Sequence, residues 1–84
     1  MSVRVLFFAS LRDAAGIAEL NLPLTEPVSV DELLAGLGAR LPAPALDALT
    51  AENVRIAINQ TMAGPSLQIA PGDEVAFLPP VTGG

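Results

Sequence analysis

The side chains that usually run chemistry are scarce in this 84-residue sequence. Cysteine and histidine are both absent, which removes thiolate nucleophiles, disulfides, the ordinary neutral-pH acid and base, and the commonest metal ligands. No metal site is expected, and catalysis by the chain's own side chains is poorly equipped. The group with a distinctive setting belongs to the main chain: the run Pro79-Pro80-Val81-Thr82-Gly83-Gly84 ends in a carboxyl. A free α-carboxyl has a pKa of about 3.5, so it is ionised at neutral pH and repels nucleophiles. Adenylation with ATP would turn it into an acyl donor, and a sulfur source could then convert it to a thiocarboxylate, an anionic soft nucleophile. By that route a protein without cysteine carries sulfur. The lack of lysine fits, since no side-chain amine could capture the activated terminus, but a compositional bias toward arginine explains it equally well.

The tail suits presentation to another protein. Two prolines fix φ and remove two donors, so the chain leaves its last strand extended and loses less entropy when gripped. Residues 79–84, fully extended, reach roughly 20 Å, enough to cross a partner's wall. Val81 and Thr82 can hold against that wall, while Gly83 and Gly84 pass a narrow channel and leave the terminal carbonyl open. A terminal Gly-Gly alone is a weak motif, because chain ends are often glycine-rich and flexible. Its weight depends on what precedes it.

What precedes it divides into short elements. Val3 to Ala9 alternates as a strand, with Val3, Val5, Phe7 and Ala9 on one side. Asp13-Ala-Ala-Gly16 reads as a turn in which Gly16 can take positive φ, and Ala18 to Leu22 returns as a second strand ending at Pro23. Ser29 and Glu32 have the spacing of a capping box and predict a helix over 30–41, with Val30, Leu33, Leu34, Leu37 and Leu41 on its inner stripe. Gly36 and Gly38 each cost it roughly 1 kcal/mol against Ala. Pro42 and Pro44 stop that helix, residues 45–50 can add a short helical turn, and Val54 to Asn59 forms a third strand with Val54, Ile56 and Ile58 inward. Asn59-Gln60 opens a loop. Pro71-Gly72-Asp73 is a turn that launches a last strand, Glu74 to Leu78, with Val75 and Phe77 inward.

Two strands, a helix, then two or more strands is the β-grasp order, which ubiquitin shares. The expected fold is α+β: a mixed sheet packed on one main helix over residues 1–78, its first and last strands parallel at the centre, followed by a flexible tail over 79–84. Joined to that order, Gly83-Gly84 becomes a strong signal. Period two then forces Leu6, Phe8, Ala57, Ala76 and Leu78 onto the sheet face away from the helix, beside Arg4, Arg55 and Glu74. An apolar patch with a polar rim marks a protein-binding surface. The alternative is a second small core beneath residues 61–70.

Composition narrows the class. Hydrophobic residues are 51% and charged residues 15% of the chain, too apolar for a disordered tail and enough for one core. The net charge of −5 and arginines scattered at 4, 12, 40 and 55 give no footprint for nucleic acid. Pro, Gly or charge interrupts every apolar stretch before it could span a bilayer, and no signal segment opens the chain, so a cytoplasmic protein is expected.

The sequence resembles the small subunit of molybdopterin synthase. Val5-Leu-Phe-Phe-Ala-Ser-Leu-Arg12 is similar to that family's first strand, Ile58-Asn-Gln-Thr61 to its mid-chain motif, and Gly72-Asp-Glu-Val-Ala-Phe-Leu-Pro-Pro-Val-Thr-Gly-Gly84 to its C-terminal block. The C-terminal block is the specific part; residues 18–53 are generic. The resemblance implies a chain that is not an enzyme on its own and binds no cofactor stably. A ubiquitin-activating-like adenylyltransferase would use ATP to adenylate Gly84, and a sulfurtransferase system would supply sulfur. The thiocarboxylate would then enter the large subunit of a heterotetramer and donate sulfur to cyclic pyranopterin monophosphate, two transfers giving the molybdopterin dithiolene. It also implies that Phe8, Met62 and Leu78 form a hydrophobic surface that binds the activating enzyme and the large subunit by turns. Of these, the alternation argument reaches Phe8 and Leu78 but not Met62. Arg12 either pairs with a partner's acidic group or is a surface charge.

Three other readings share the fold: the sulfur carrier of thiamin thiazole synthesis, a ubiquitin-like modifier joined to lysines through Gly84, and an interaction module whose glycines do nothing. Thiamin-pathway carriers tend to be shorter and lack the Pro-Pro-Val-Thr stretch.

Overall fold

The computed structural model describes residues 1–62 and 68–79. Strand β1 (Ser2–Phe7) leads into helix α1 (Ala9–Ala15) and strand β2 (Glu19–Pro23). Helices α2 (Val30–Leu37) and α3 (Ala43–Leu49) follow, then β3 (Arg55–Ile58), β4 (Thr61–Met62) and β5 (Glu74–Leu78). The sheet order is β2-β1-β5-β3-β4, with β1 and β5 parallel at the centre and the other neighbours antiparallel. This is the expected β-grasp arrangement. It brings the C-terminal ends of β1 and β5 side by side, so the chain leaves the sheet at Pro79 next to Phe8.

One face of the sheet makes the core. Val3, Val5, Val75 and Phe77 are fully buried and Phe7 nearly so, the outcome of strict alternation in two strands paired in register. Phe7 pairs with Phe77, and their rings stack with centroids 6.0 Å apart. Such a pair contributes about 0.5–1.5 kcal/mol beyond its burial. Helix α2 covers this face with Leu33 and Leu37, both buried. Its start is the capping box read from the sequence: Glu32 N–H donates to Ser29 Oγ and Ser29 N–H to Glu32 Oε1, both at 3.1 Å. Gly36 lets the helix come close to β2, since a Cβ there would lie 3.3 Å from a Leu22 methyl.

The larger departures from the sequence reading each have a local reason. The first strand stops at Phe7 rather than Ala9, because Ala9 takes φ 49° and turns the chain into α1. A seven-residue helix then stands where only a turn was expected; it buries Leu11 and Ala15 against α3, which buries Ala45 and Leu49 at the same spacing. Gly16 has the positive φ expected of it, but as the left-handed cap of α1, its N–H bonded to the Arg12 carbonyl. Helix α2 ends at Leu37, four residues early, although Leu41 is still buried through the turn that follows. Pro42 caps α3 and Pro44 sits in its first turn, where no amide donor is needed, so these prolines begin a helix as well as ending one.

Pro71-Gly72 forms the foreseen turn, closed by Asp73 N–H on the Ala70 carbonyl at 3.0 Å with Gly72 at φ 94°. Ile69, fully buried, belongs to the main core and exchanges both backbone hydrogen bonds with Val28. No helix among the described residues is long and apolar enough to cross a membrane.

Candidate functional site

The second face of the sheet carries the candidate site, and strand register builds it. Leu6 pairs with Ala76, Ala76 with Ala57, and Ala57 with Met62. These four form a row across β1, β5, β3 and β4, with two small residues between two large ones. Adjacent strands lie about 4.8 Å apart, so Leu6 and Met62 are separated by roughly 14 Å over a shallow alanine floor. The next row holds Leu78 opposite Arg55. Phe8 continues β1 in extended conformation and donates its N–H to the Phe77 carbonyl at 3.2 Å, which places it beside Leu78 although it caps α1 rather than ending a strand.

Phe8 is 44% and Met62 56% exposed, while Leu6, Ala76 and Leu78 are half-buried. Phe8 and Met62 are both exposed, and residues 63–67, on which the alternative of a second small core depends, lie outside the described residues. Ala57 departs from expectation: it faces this side but is buried, a small side chain lying low between Ala76 and Met62. Toward β2 the face turns polar. Arg4 pairs with Asn21 and Glu74 in the sheet and donates from Nε to Glu19 at 3.0 Å, the only ion pair among the described residues. That hydrogen bond, then the Glu19 charge, raises the Arg4 pKa further above its already high value, so its charge is constant at any working pH. Both partners are about half exposed, and the pair borders the patch more than it stabilises the fold.

Met62 is held by a feature that the alternation argument missed. β3 and β4 are joined by the two-residue turn Asn59-Gln60, closed by the pair Ile58 and Thr61, with φ of 52° and 68° at its two residues. Both central residues at positive φ define the hairpin turn that favours Asn-Gly. Asn tolerates this region, whereas Gln60 is strained by about 1–2 kcal/mol. The legible signal was the polar pair Asn59-Gln60 between two β runs, read in the sequence as the start of a loop.

Pro79, the root of the tail, is half-buried just beyond Leu78. Pro80, Val81, Thr82, Gly83 and Gly84, the tail positions singled out in the sequence, lie outside the described residues. Arg12 is exposed on α1, one turn after Phe8, whose carbonyl accepts its N–H at 3.4 Å. Among the described residues no three His, Cys, Asp or Glu side chains gather as a metal site.

An apolar, partly exposed sheet face beside the exit of the last central strand, on a five-stranded mixed sheet grasping α2, defines a protein of the ubiquitin-like β-grasp class. The chain belongs to the ThiS family, whose model matches residues 5–84. It is 38% identical to the molybdopterin synthase sulfur carrier subunit of Chlamydomonas reinhardtii, over the whole of both chains. Among solved structures it is similar to SAMP1, a small archaeal modifier protein from Haloferax volcanii, with a TM-score of 0.82 and 26% identity over both chains in full. It is also similar to a chain in the complex of subunits 1 and 2 of molybdopterin-converting factor from Helicobacter pylori, with a TM-score of 0.69 and 25% identity, again over both chains.

Proposed function

We propose that this chain is the sulfur carrier subunit of a molybdopterin synthase, and that the Gly84 carboxyl is its reactive group. A ubiquitin-activating-like adenylyltransferase joins that carboxylate to AMP from ATP, releasing pyrophosphate. Sulfur delivered at the hydrosulfide level then attacks the acyl carbon and AMP departs, leaving a thiocarboxylate. Residues 79–83 lead it into the large subunit, where its sulfur bonds to a carbon of cyclic pyranopterin monophosphate and water then cleaves the acyl–sulfur bond, which returns the Gly84 carboxylate and leaves the sulfur on the pterin. Each carrier brings one sulfur, so a dithiolene takes two transfers.

The observation that carries this reading is the placement of Phe8 and Leu78 where β5 hands over to Pro79, with Leu6, the alanine floor and Met62 extending the same surface. A partner that covers Phe8, Met62 and Leu78 holds the root of the tail at its own surface, and the tail then has one direction in which to extend. The Chlamydomonas relative, alike over its full length, supports the pathway, and the Helicobacter complex supports a large subunit as the partner. The chain has no histidine or cysteine for acid–base or nucleophilic work, so the partner supplies the side chains that handle protons and hold the pterin. Arg12 stands beside Phe8 as either a contact for a partner carboxylate or a plain surface charge; a loss of salt-dependent association in Arg12→Ala marks the first.

Intact mass spectrometry tests the reading. Protein taken from cells holding the activating enzyme should gain the mass of sulfur in place of oxygen at its C-terminus, and a chain that stays unmodified there rejects it. Likeness to SAMP1 favours a second reading, a modifier joined to protein amines through the same carboxyl. A ladder of conjugates in place of a captured large subunit would select it.

A further inference from the structure

The turn Asn59-Gln60 has both residues at positive φ, and one of them is a glutamine. β4, which the turn leads into, is two residues long and pairs only with β3 among the described strands. Neither the turn nor so short a strand fixes Met62 by itself. β3 is held in the sheet by its ladder with β5, and at the end of that ladder Asn59 ties the turn to the start of β5. Its N–H donates to the Glu74 carbonyl at 2.8 Å, its Oδ1 accepts from Glu74 N–H at 3.0 Å, and its Nδ2 donates to Asp73 Oδ1 at 3.1 Å. Asp73 is anchored in turn: its Oδ2 accepts from Ala70 N–H at 2.8 Å, and its carbonyl accepts from Arg4 N–H at 3.1 Å. A single side chain thereby links the β3–β4 turn to the start of β5 and, through Asp73, to β1.

We propose that Asn59 is a positioning residue for partner binding: by clamping the β3–β4 turn to the start of β5, it fixes Met62 in register with Ala57 on the open face. The proposal rests on the partner-binding role given above to that face. Asn59 is not itself in the apolar row, so it acts through Met62. Held in place, Met62 meets a partner without a further loss of freedom; released, it must be ordered on binding, and affinity falls.

The test is a double-mutant cycle on affinity for the cognate large subunit, using Asn59→Gly and Met62→Ala. Glycine keeps the positive φ and the backbone bond to Glu74 and deletes only the clamp. Each single variant is expected to weaken binding about tenfold, and the double variant also about tenfold instead of a hundredfold, because both remove one contribution. In Asn59→Gly the Met62 methyl resonance should move toward its unfolded position, while the methyls of Val5 and Val75 stay in place. Wild-type affinity in Asn59→Gly, or a fully additive cycle, overturns the proposal. Should Asn59→Gly fail to fold, Asn59→Asp serves in its place: it keeps the acceptor for Glu74 N–H and sets a carboxylate against Asp73, with the same outcomes expected. If the wild-type chain does not bind a large subunit at all, the functional reading fails, and the Met62 methyl shift still decides the clamp.

Discussion

At the scale of the residue, exposure separates function from stability. Phe8, just past the end of β1, and Phe77 of β5, whose carbonyl accepts its N–H, are the same amino acid, one 44% exposed and the other fully buried. Phe8→Ala should leave the melting temperature nearly unchanged and weaken capture by a large subunit tenfold or more, as loss of a surface aromatic anchor does. Phe77→Ala should cost about 3–5 kcal/mol of folding stability, read from the urea midpoint, whatever the partner. If Phe8→Ala binds normally, the open face is not the docking surface. Leu78 and Phe8 were both legible in the sequence because period two fixes the face of every residue once one is assigned. Met62 was reached there only through resemblance, since a two-residue strand after an unrecognised hairpin turn carries no periodicity. Ala57 was assigned to the right face and the wrong exposure, because alternation gives direction and says nothing of depth.

At the scale of the element, the parts with strong local chemistry were readable and those held by tertiary contacts were not. The capping box of Ser29 and Glu32, the Pro71-Gly72 turn and the bounds of β5 stand as the sequence indicated. Helix α1 did not show itself: it has seven residues, no side-chain N-cap, and exists because Leu11 and Ala15 find α3. Its entry through Ala9 at φ 49° is a backbone cost that no residue preference foretells. Ser29→Ala should lower stability by about 1 kcal/mol through loss of the cap, a drop of roughly 4–8 °C in Tm for a domain of this size. Gln60→Gly should act in the opposite direction, raising the urea midpoint, because it removes a left-handed strain of about 1–2 kcal/mol against a smaller entropy cost. A lower midpoint in Gln60→Gly would show that the turn is not strained as described.

At the scale of the molecule, the function proposed above divides labour between the sheet and the chain's own end. The β-grasp order, the parallel centre and the side of the sheet left open were all legible, because short elements punctuated by Pro and Gly leave few ways to bury one core. A partner for the open face cannot be read from the chain's own residues, and the large subunit proposed above rests on likeness to a chain of the Helicobacter complex. The working group proposed above is a main-chain carboxyl, delivered by the docked sheet. The most direct test is molybdoenzyme maturation in a null strain, comparing the native chain with one bearing a single added residue after Gly84. The native chain should restore activity and the extended chain should not, its fold and Tm unchanged; an extended chain that restores activity while shown by mass to be uncleaved would contradict the claim.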